Sequence, residues 1–90
     1  MFPEATDMDI NGKEKLRTFL QSCLADRGDK AGFQDDESLF VTGRLDSLSM
    51  TRVVIYLEQE FDINFAHVAF DVDLIDSVKA IESFIRAGRP

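Results

Sequence analysis

Cysteine is nearly absent from this chain. Cys23 stands alone among 90 residues, so no internal disulfide forms and a cysteine-rich metal site is excluded. Histidine is equally scarce, with His67 alone. A histidine-based nucleophile triad needs that imidazole beside a serine or cysteine and an acid. Nothing in the sequence supplies that set, so His67 reads as a partly exposed helix residue. Glycine-rich phosphate loops of the P-loop or dinucleotide type are missing. Apolar runs extend only a few residues, far short of a membrane span. The first residues have neither the basic start nor the apolar stretch of a secretory leader, and a cytoplasmic location is expected. Basic residues are outnumbered, with Lys plus Arg at 10 against Asp plus Glu at 17, a net charge of −7. Such a surface repels phosphate backbones, which argues against nucleic-acid binding and favours basic protein partners. No internal repeat or low-complexity tract is visible.

What is present suits one small folded domain. Hydrophobic residues make up 44% and charged residues 30%, which places the chain among folded rather than disordered proteins. At this length a core is modest, and catalytic folds built on large sheets or barrels are excluded. Residues 1–10 read as a loose lead, 11–87 as a single domain and 88–90 as a tail. A monomer with no membrane insertion is expected.

Helical periodicity dominates. Asn11 followed by Glu14 suits a capping box. Leu16, Phe19, Leu20, Cys23 and Leu24 then fall on one helical face, and Gly28 ends the helix. Cys23 on that face reads as a small core residue. Residues 28–45 form a long connection whose Phe33, Leu39, Phe40, Val41 and Leu45 imply a loop packed on the core. A second helix is expected from Ser47 to Phe61 behind an Asp46 N-cap. Met50, Val53, Val54, Leu57 and Phe61 share its core side, while Leu48 and Ile55 share a second face with Arg52 and Gln59. Residues 62–76 are less regular, with Phe65, Val68 and Phe70 suited to a short helix or turn. A last helix from Ser77 to Ala87 carries Val78, Ile81, Phe84 and Ile85. Either Asp76 or Ser77 suits its cap. No stretch sustains period-two alternation. The expected fold is all-α, three main helices plus a short one in a small bundle.

The place that could carry chemistry is Gly43-Arg44-Leu45-Asp46-Ser47-Leu48. Ser47 opens the central helix directly after the packed loop. First-turn N–H groups and the helix dipole favour an anion there, so a phosphate ester on Ser47 is well placed. Leu48 and Ile55 look outward just below it. Asp35, Asp36 and Glu37 read as a solvated loop or at most a weak cation site, because the ligand spacing of an EF-hand is absent. No nucleophile–base pair is available, so no enzyme is expected.

These residues are where the sequence resembles the acyl carrier protein family, which includes the peptidyl and aminoacyl carriers. The likeness covers about residues 12–86. It runs through Asp36-x-Ser38-Leu39-Phe40, then Gly43-x-Leu45-Asp46-Ser47-Leu48, Val53-Val54, Leu57-Glu58-x-x-Phe61, Ile63, Phe65, Ser77-Val78, Ile81 and Phe84-Ile85. The resemblance implies a four-helix bundle with a long first loop. It implies that Ser47 is esterified with 4′-phosphopantetheine by a phosphopantetheinyl transferase that takes it from coenzyme A, with Asp46 helping that enzyme place its metal and substrate. The arm's thiol then carries acyl cargo as a thioester between the loading and processing enzymes of fatty acid, polyketide or specialised lipid-type biosynthesis. Leu48, Arg52, Ile55, Glu58, Gln59 and Glu60 map to the helix that partners read. An aminoacyl or peptidyl carrier loaded by an adenylating ligase is the alternative. A helical adaptor without a prosthetic group is a more distant one. Three features depart from a fatty-acid carrier. Arg44 and Arg52 give the docking surface mixed sign. Asp71 to Ile75 makes a longer link into the last helix. Phe65 and Phe70, among 8 phenylalanines, stand where an acyl pocket would be lined, which predicts weak sequestration of long chains.

Overall fold

Each of the three strongly periodic stretches is a helix in the computed structural model, which describes residues 10–63, 65 and 71–88. Helix α1 is Ile10–Asp26, α2 is Ser47–Phe61 and α3 is Val78–Gly88. A 3-10 turn, Val72–Leu74, precedes α3. The result is a small, mostly helical globule, without strands among the described residues.

Local chemistry explains the ends of these elements. Arg27 closes α1, and Gly28 follows in the left-handed region with φ +82°. The Gly28 N–H donates to the Ala25 carbonyl (2.9 Å) and the Asp29 N–H to the Leu24 carbonyl (2.9 Å). These are the paired bonds of a Schellman motif, and only glycine takes that φ without a Cβ penalty. Asp46 caps α2 by accepting the Ser49 N–H at 2.9 Å. Ser77 caps α3 by accepting the Ala80 N–H at 3.0 Å.

Some boundaries differ from the sequence reading. Asn11 is inside α1 rather than its N-cap, because the helix already includes Ile10; the expected lead of 1–10 overruns by that residue. The last helix is Val78–Gly88 instead of Ser77 to Ala87, since Ser77 spends its side chain as the cap and Gly88 remains helical. Between α2 and α3 the described residues include the 3-10 turn of Val72–Leu74, opened by Asp71 accepting the Asp73 N–H. Val68 and Phe70, on which a fourth helix was expected to turn, lie outside the described residues, as does His67.

The core collects one face of each helix. Leu16, Leu20, Cys23 and Leu24 from α1, Val53 and Leu57 from α2, and Val78, Ile81 and Ile85 from α3 are fully buried. Ile75 and the loop residues Leu39 and Leu45 join them. Each such aliphatic side chain contributes about 2 kcal/mol by leaving water. Met50 and Val54, expected on the core side of α2, are half-buried at its margin. Val41, expected to pack with the loop, stands 66% exposed.

A polar and aromatic seam fixes α2 against α1. Asp26 pairs with Arg52 (2.9 Å), Phe19 stacks on Tyr56 (4.4 Å between ring centres), and Lys15 pairs with Glu60 (3.4 Å). Residue numbers fall along α1 as they rise along α2, so the two helices run antiparallel. The seam brings the end of α1 to the start of α2.

Candidate functional site

Ser47 is the first residue of α2 and is exposed. Its hydroxyl makes no hydrogen bond among the described residues. The first turn of a helix leaves N–H groups without intrahelical partners. Asp46 takes that of Ser49, and the Met50 N–H already donates to the Asp46 carbonyl at 2.9 Å. Among the described residues nothing accepts the N–H groups of Ser47 and Leu48, which lie at the positive end of the helix dipole.

Asp46 is doubly held. One carboxylate oxygen accepts the Ser49 N–H, and the other accepts Arg27 Nη1 at 2.6 Å. The Ser49 N–H bond, with the Arg27 charge, keeps its carboxyl below the ordinary range in spite of some burial. Asp46 is therefore an anion at neutral pH, and Arg27 stands beside it. The sequence reading missed Arg27. Its signal was faint, since only the Schellman turn at Gly28 carries it back toward the start of α2.

Exposed apolar side chains follow the serine along α2. Leu48 is 69% exposed and Ile55 47% exposed. Between Ile55 and Phe65 lies an open, shallow groove of about 290 Å³ lined by Met50, Thr51, Val54, Ile55 and Phe65. Phe65 itself is buried and stacks on Phe84 at 5.4 Å. Phe65, on the groove wall, is thus backed by a second ring. Phe70 lies outside the described residues.

The charges expected on the docking face are largely engaged within the molecule. Arg44 does not display its charge beside Ser47; its side chain is only 18% exposed. It makes a two-pronged contact with Asp29 (2.9 and 3.0 Å) and a third with Glu37 (2.7 Å). Arg52 reaches Asp26 and lies over the Phe19 ring at 5.8 Å. Glu58 accepts the Phe65 N–H at 3.1 Å, and Glu60 pairs with Lys15. Gln59 is exposed.

The acidic run of the loop is divided rather than gathered. Asp35 meets Lys13 at 2.7 Å and also Arg17, whereas Glu37 turns to Arg44. The Lys13 hydrogen bond leads in holding the Asp35 carboxyl low. No cluster of three potential metal ligands occurs among the described residues. Cys23 is sealed in the core, and burial pushes its thiol up, so it is unsuited to act as a nucleophile. Among the described residues, no helix is long and apolar enough to cross a membrane.

No protein-family model, curated protein or solved structure matches this chain.

Proposed function

We propose that this protein is a carrier of the acyl carrier type, a four-helix bundle that holds acyl intermediates as thioesters on a 4′-phosphopantetheine arm at Ser47. One observation carries the reading: an exposed serine hydroxyl, without a hydrogen bond among the described residues, at the first position of the central helix, behind an ionised Asp46 and above the exposed Leu48. A phosphodiester at that oxygen gains the free first-turn N–H groups and the helix dipole. In the transfer, the Ser47 oxygen bonds to the phosphorus next to pantetheine in coenzyme A. The pyrophosphate bond breaks, the adenosine bisphosphate half leaves, and the serine proton goes to a base of the transferase. Asp46 contributes an anion for the metal of that enzyme. The cargo thiol belongs to the arm, since Cys23 is inaccessible.

The carrier has no catalytic machinery of its own, and its work is presentation. A flexible arm brings one thioester to several partner active sites at high local concentration. Leu48 and Ile55 are its apolar contacts. The Phe65–Phe84 stack beside the groove supports a reading in which cargo is carried near the surface. A cytoplasmic monomer serving fatty acid, polyketide or specialised lipid-type enzymes fits this description. An aminoacyl cargo fits the open groove as well, and loading trials with malonyl transferases against adenylating ligases separate the two.

The test is an intact-mass spectrum after incubation with coenzyme A and a promiscuous phosphopantetheinyl transferase, beside Ser47→Ala. The expected result is a gain of one phosphopantetheine, absent in the variant. A folded sample that gains nothing with several transferases refutes the carrier reading and leaves a helical adaptor. Ser47→Ala should fold normally, within about 0.5 kcal/mol of the parent, because the side chain is exposed.

A further inference from the structure

The loop before Ser47 is held from behind by a residue 36 positions away in sequence. Asp76 sits between the 3-10 turn and α3. Its Oδ1 accepts the N–H groups of Phe40 (2.7 Å) and Val41 (3.0 Å). Its main-chain carbonyl accepts the Leu39 N–H at 2.8 Å. Three consecutive loop amides thus end on one residue. The segment they open is a tight turn, with the Gly43 N–H donating to the Phe40 carbonyl (3.0 Å) and the Thr42 hydroxyl to the Ser38 carbonyl (2.8 Å). Asp76 therefore caps this turn from another part of the chain, as a helix N-cap does from its own.

The consequence appears at Val41. Leu39 and Phe40 are buried beside it, yet Val41 projects into solvent while its N–H is fixed. The turn is closed toward the serine by the Leu45 N–H, which donates to the Leu39 carbonyl at 2.8 Å. Leu45 is two residues from Ser47, at most about 7 Å of chain. Val41 is thus an apolar side chain on a clamped support, two residues along the chain from Leu39, whose carbonyl is tied to Leu45. Ordering it on binding costs little, because its backbone is ordered already.

We propose that Asp76 is a positioning residue for modification of Ser47, holding Val41 outward as an apolar contact that the coenzyme-A-dependent transferase covers. This rests on the reading of Ser47 as the attachment point. Burial works against the Asp76 anion, and the Val41, Phe40 and Leu39 N–H groups, with the nearby Ser38 hydroxyl, outweigh it. Ser38 Oγ is itself shut off from solvent without a hydrogen bond of good geometry, so the backbone amides are the principal partners of the clamp.

The test uses the full chain, coenzyme A and a promiscuous phosphopantetheinyl transferase, with initial rates read by intact mass. Val41→Ser should raise the KM for the carrier about fivefold to tenfold, in proportion to a lost apolar contact of this size, while kcat holds. Asp76→Ala should raise KM comparably, and Asp76→Asn by less. The double variant Val41→Ser/Asp76→Ala should show no further rise, since one residue acts through the other. Ile10→Ser is the control. Ile10 is 73% exposed but lies about 24 Å along α1 from Asp26, and its KM should match the parent. Amide exchange should quicken at Phe40 and Val41 in Asp76→Asn. An unchanged KM for Val41→Ser, or additive effects in the double variant, overturns the proposal. If Asp76→Ala does not fold, Val41→Ser and Asp76→Asn decide it. A parent chain that is never modified refutes the carrier reading and this inference with it, and is distinct from a modified parent whose Val41→Ser variant is unaffected.

Discussion

Asp46 has two separable duties, and a pair of substitutions divides them. As an N-cap it satisfies the Ser49 N–H, a role serine also fills. As an anion it holds Arg27 and, in the proposed reaction, serves the transferase. Asp46→Ala should lower stability by about 1 kcal/mol through loss of the cap. Asp46→Ser should stay within a few tenths of a kcal/mol of the parent and still be modified much more slowly. Thermal melts beside intact-mass rates check this. An Asp46→Ser protein modified at the parental rate would show that only the cap matters. Ser47 and Asp46 were legible in the sequence, because a cap and the residue after it are defined by neighbours within one helical turn. Arg44 was not legible in the same way. Its position beside the serine is as expected, but its side chain turns away to Asp29 and Glu37, and a planar guanidinium meeting two carboxylates is a tertiary arrangement.

At the scale of elements, the α1–α2 seam sets where the serine stands. Phe19 lies at its middle, stacked on Tyr56 with Arg52 above the ring. Phe19→Ala removes the stacked area and the seat of Arg52, and should cost about 2–3 kcal/mol, somewhat below a fully buried phenylalanine. Denaturant melts measure it, and a loss under 0.5 kcal/mol would mean that the seam is decorative. The exposed ion pairs at its two ends are each worth only about 0–1 kcal/mol, so the rings carry most of it. The groove beside Phe65 leads to a second expectation. With the Phe65–Phe84 stack beside it, an octanoyl thioester on the arm should exchange with solvent thiols about as fast as a free pantetheine thioester. Protection of tenfold or more, about 1.4 kcal/mol, would show that the rings part to admit the chain. Helix α2 runs unbroken through Val53–Tyr56, a run rich in β-branched residues, because the 3.6-residue period continues across it from Met50 to Phe61.

For the whole molecule, charge governs the response to solution conditions. At a net −7 the fold repels itself, and its ion pairs are mostly exposed and individually weak. Added salt should therefore raise the melting temperature on going from low salt to about 0.5 M. A flat or falling curve would mean that the internal pairs outweigh the repulsion. Acid acts in the opposite sense. Asp29 is held low first by Arg44, Asp35 by Lys13, Glu37 by the Gln34 N–H and Asp46 by the Ser49 N–H. Asp76 is held low by the loop amides against its own burial. A carboxyl depressed in the folded state adds stability that is complete above its ordinary value, 3.8 for aspartate and 4.5 for glutamate. That stability disappears as pH falls through the depressed value. Melting temperature should be level from neutral pH to about 5 and fall below about 4, less steeply in Asp76→Asn. A melting temperature that rises below pH 4 would contradict this.

The three helices, the Gly28 stop and the serine at the head of α2 were determined by the sequence alone. Apolar period, caps and a left-handed glycine act over a few residues, and that range is written in the chain. The tertiary structure decided which polar groups meet. Asp76 and Ser77 were equal candidates for one cap until the fold brought the loop against Asp76 and left the cap to Ser77. Val41 looked like a core residue by composition, and the amide clamp turned it outward. Arg52 fell on the second face of α2 with Leu48 and Ile55, and Glu60 was expected on the helix that partners read; α1 supplied partners for both. In each case the partners are separated by 26 to 45 residues. Such contacts form only after the elements dock, because closing those loops costs entropy that packing must first offset.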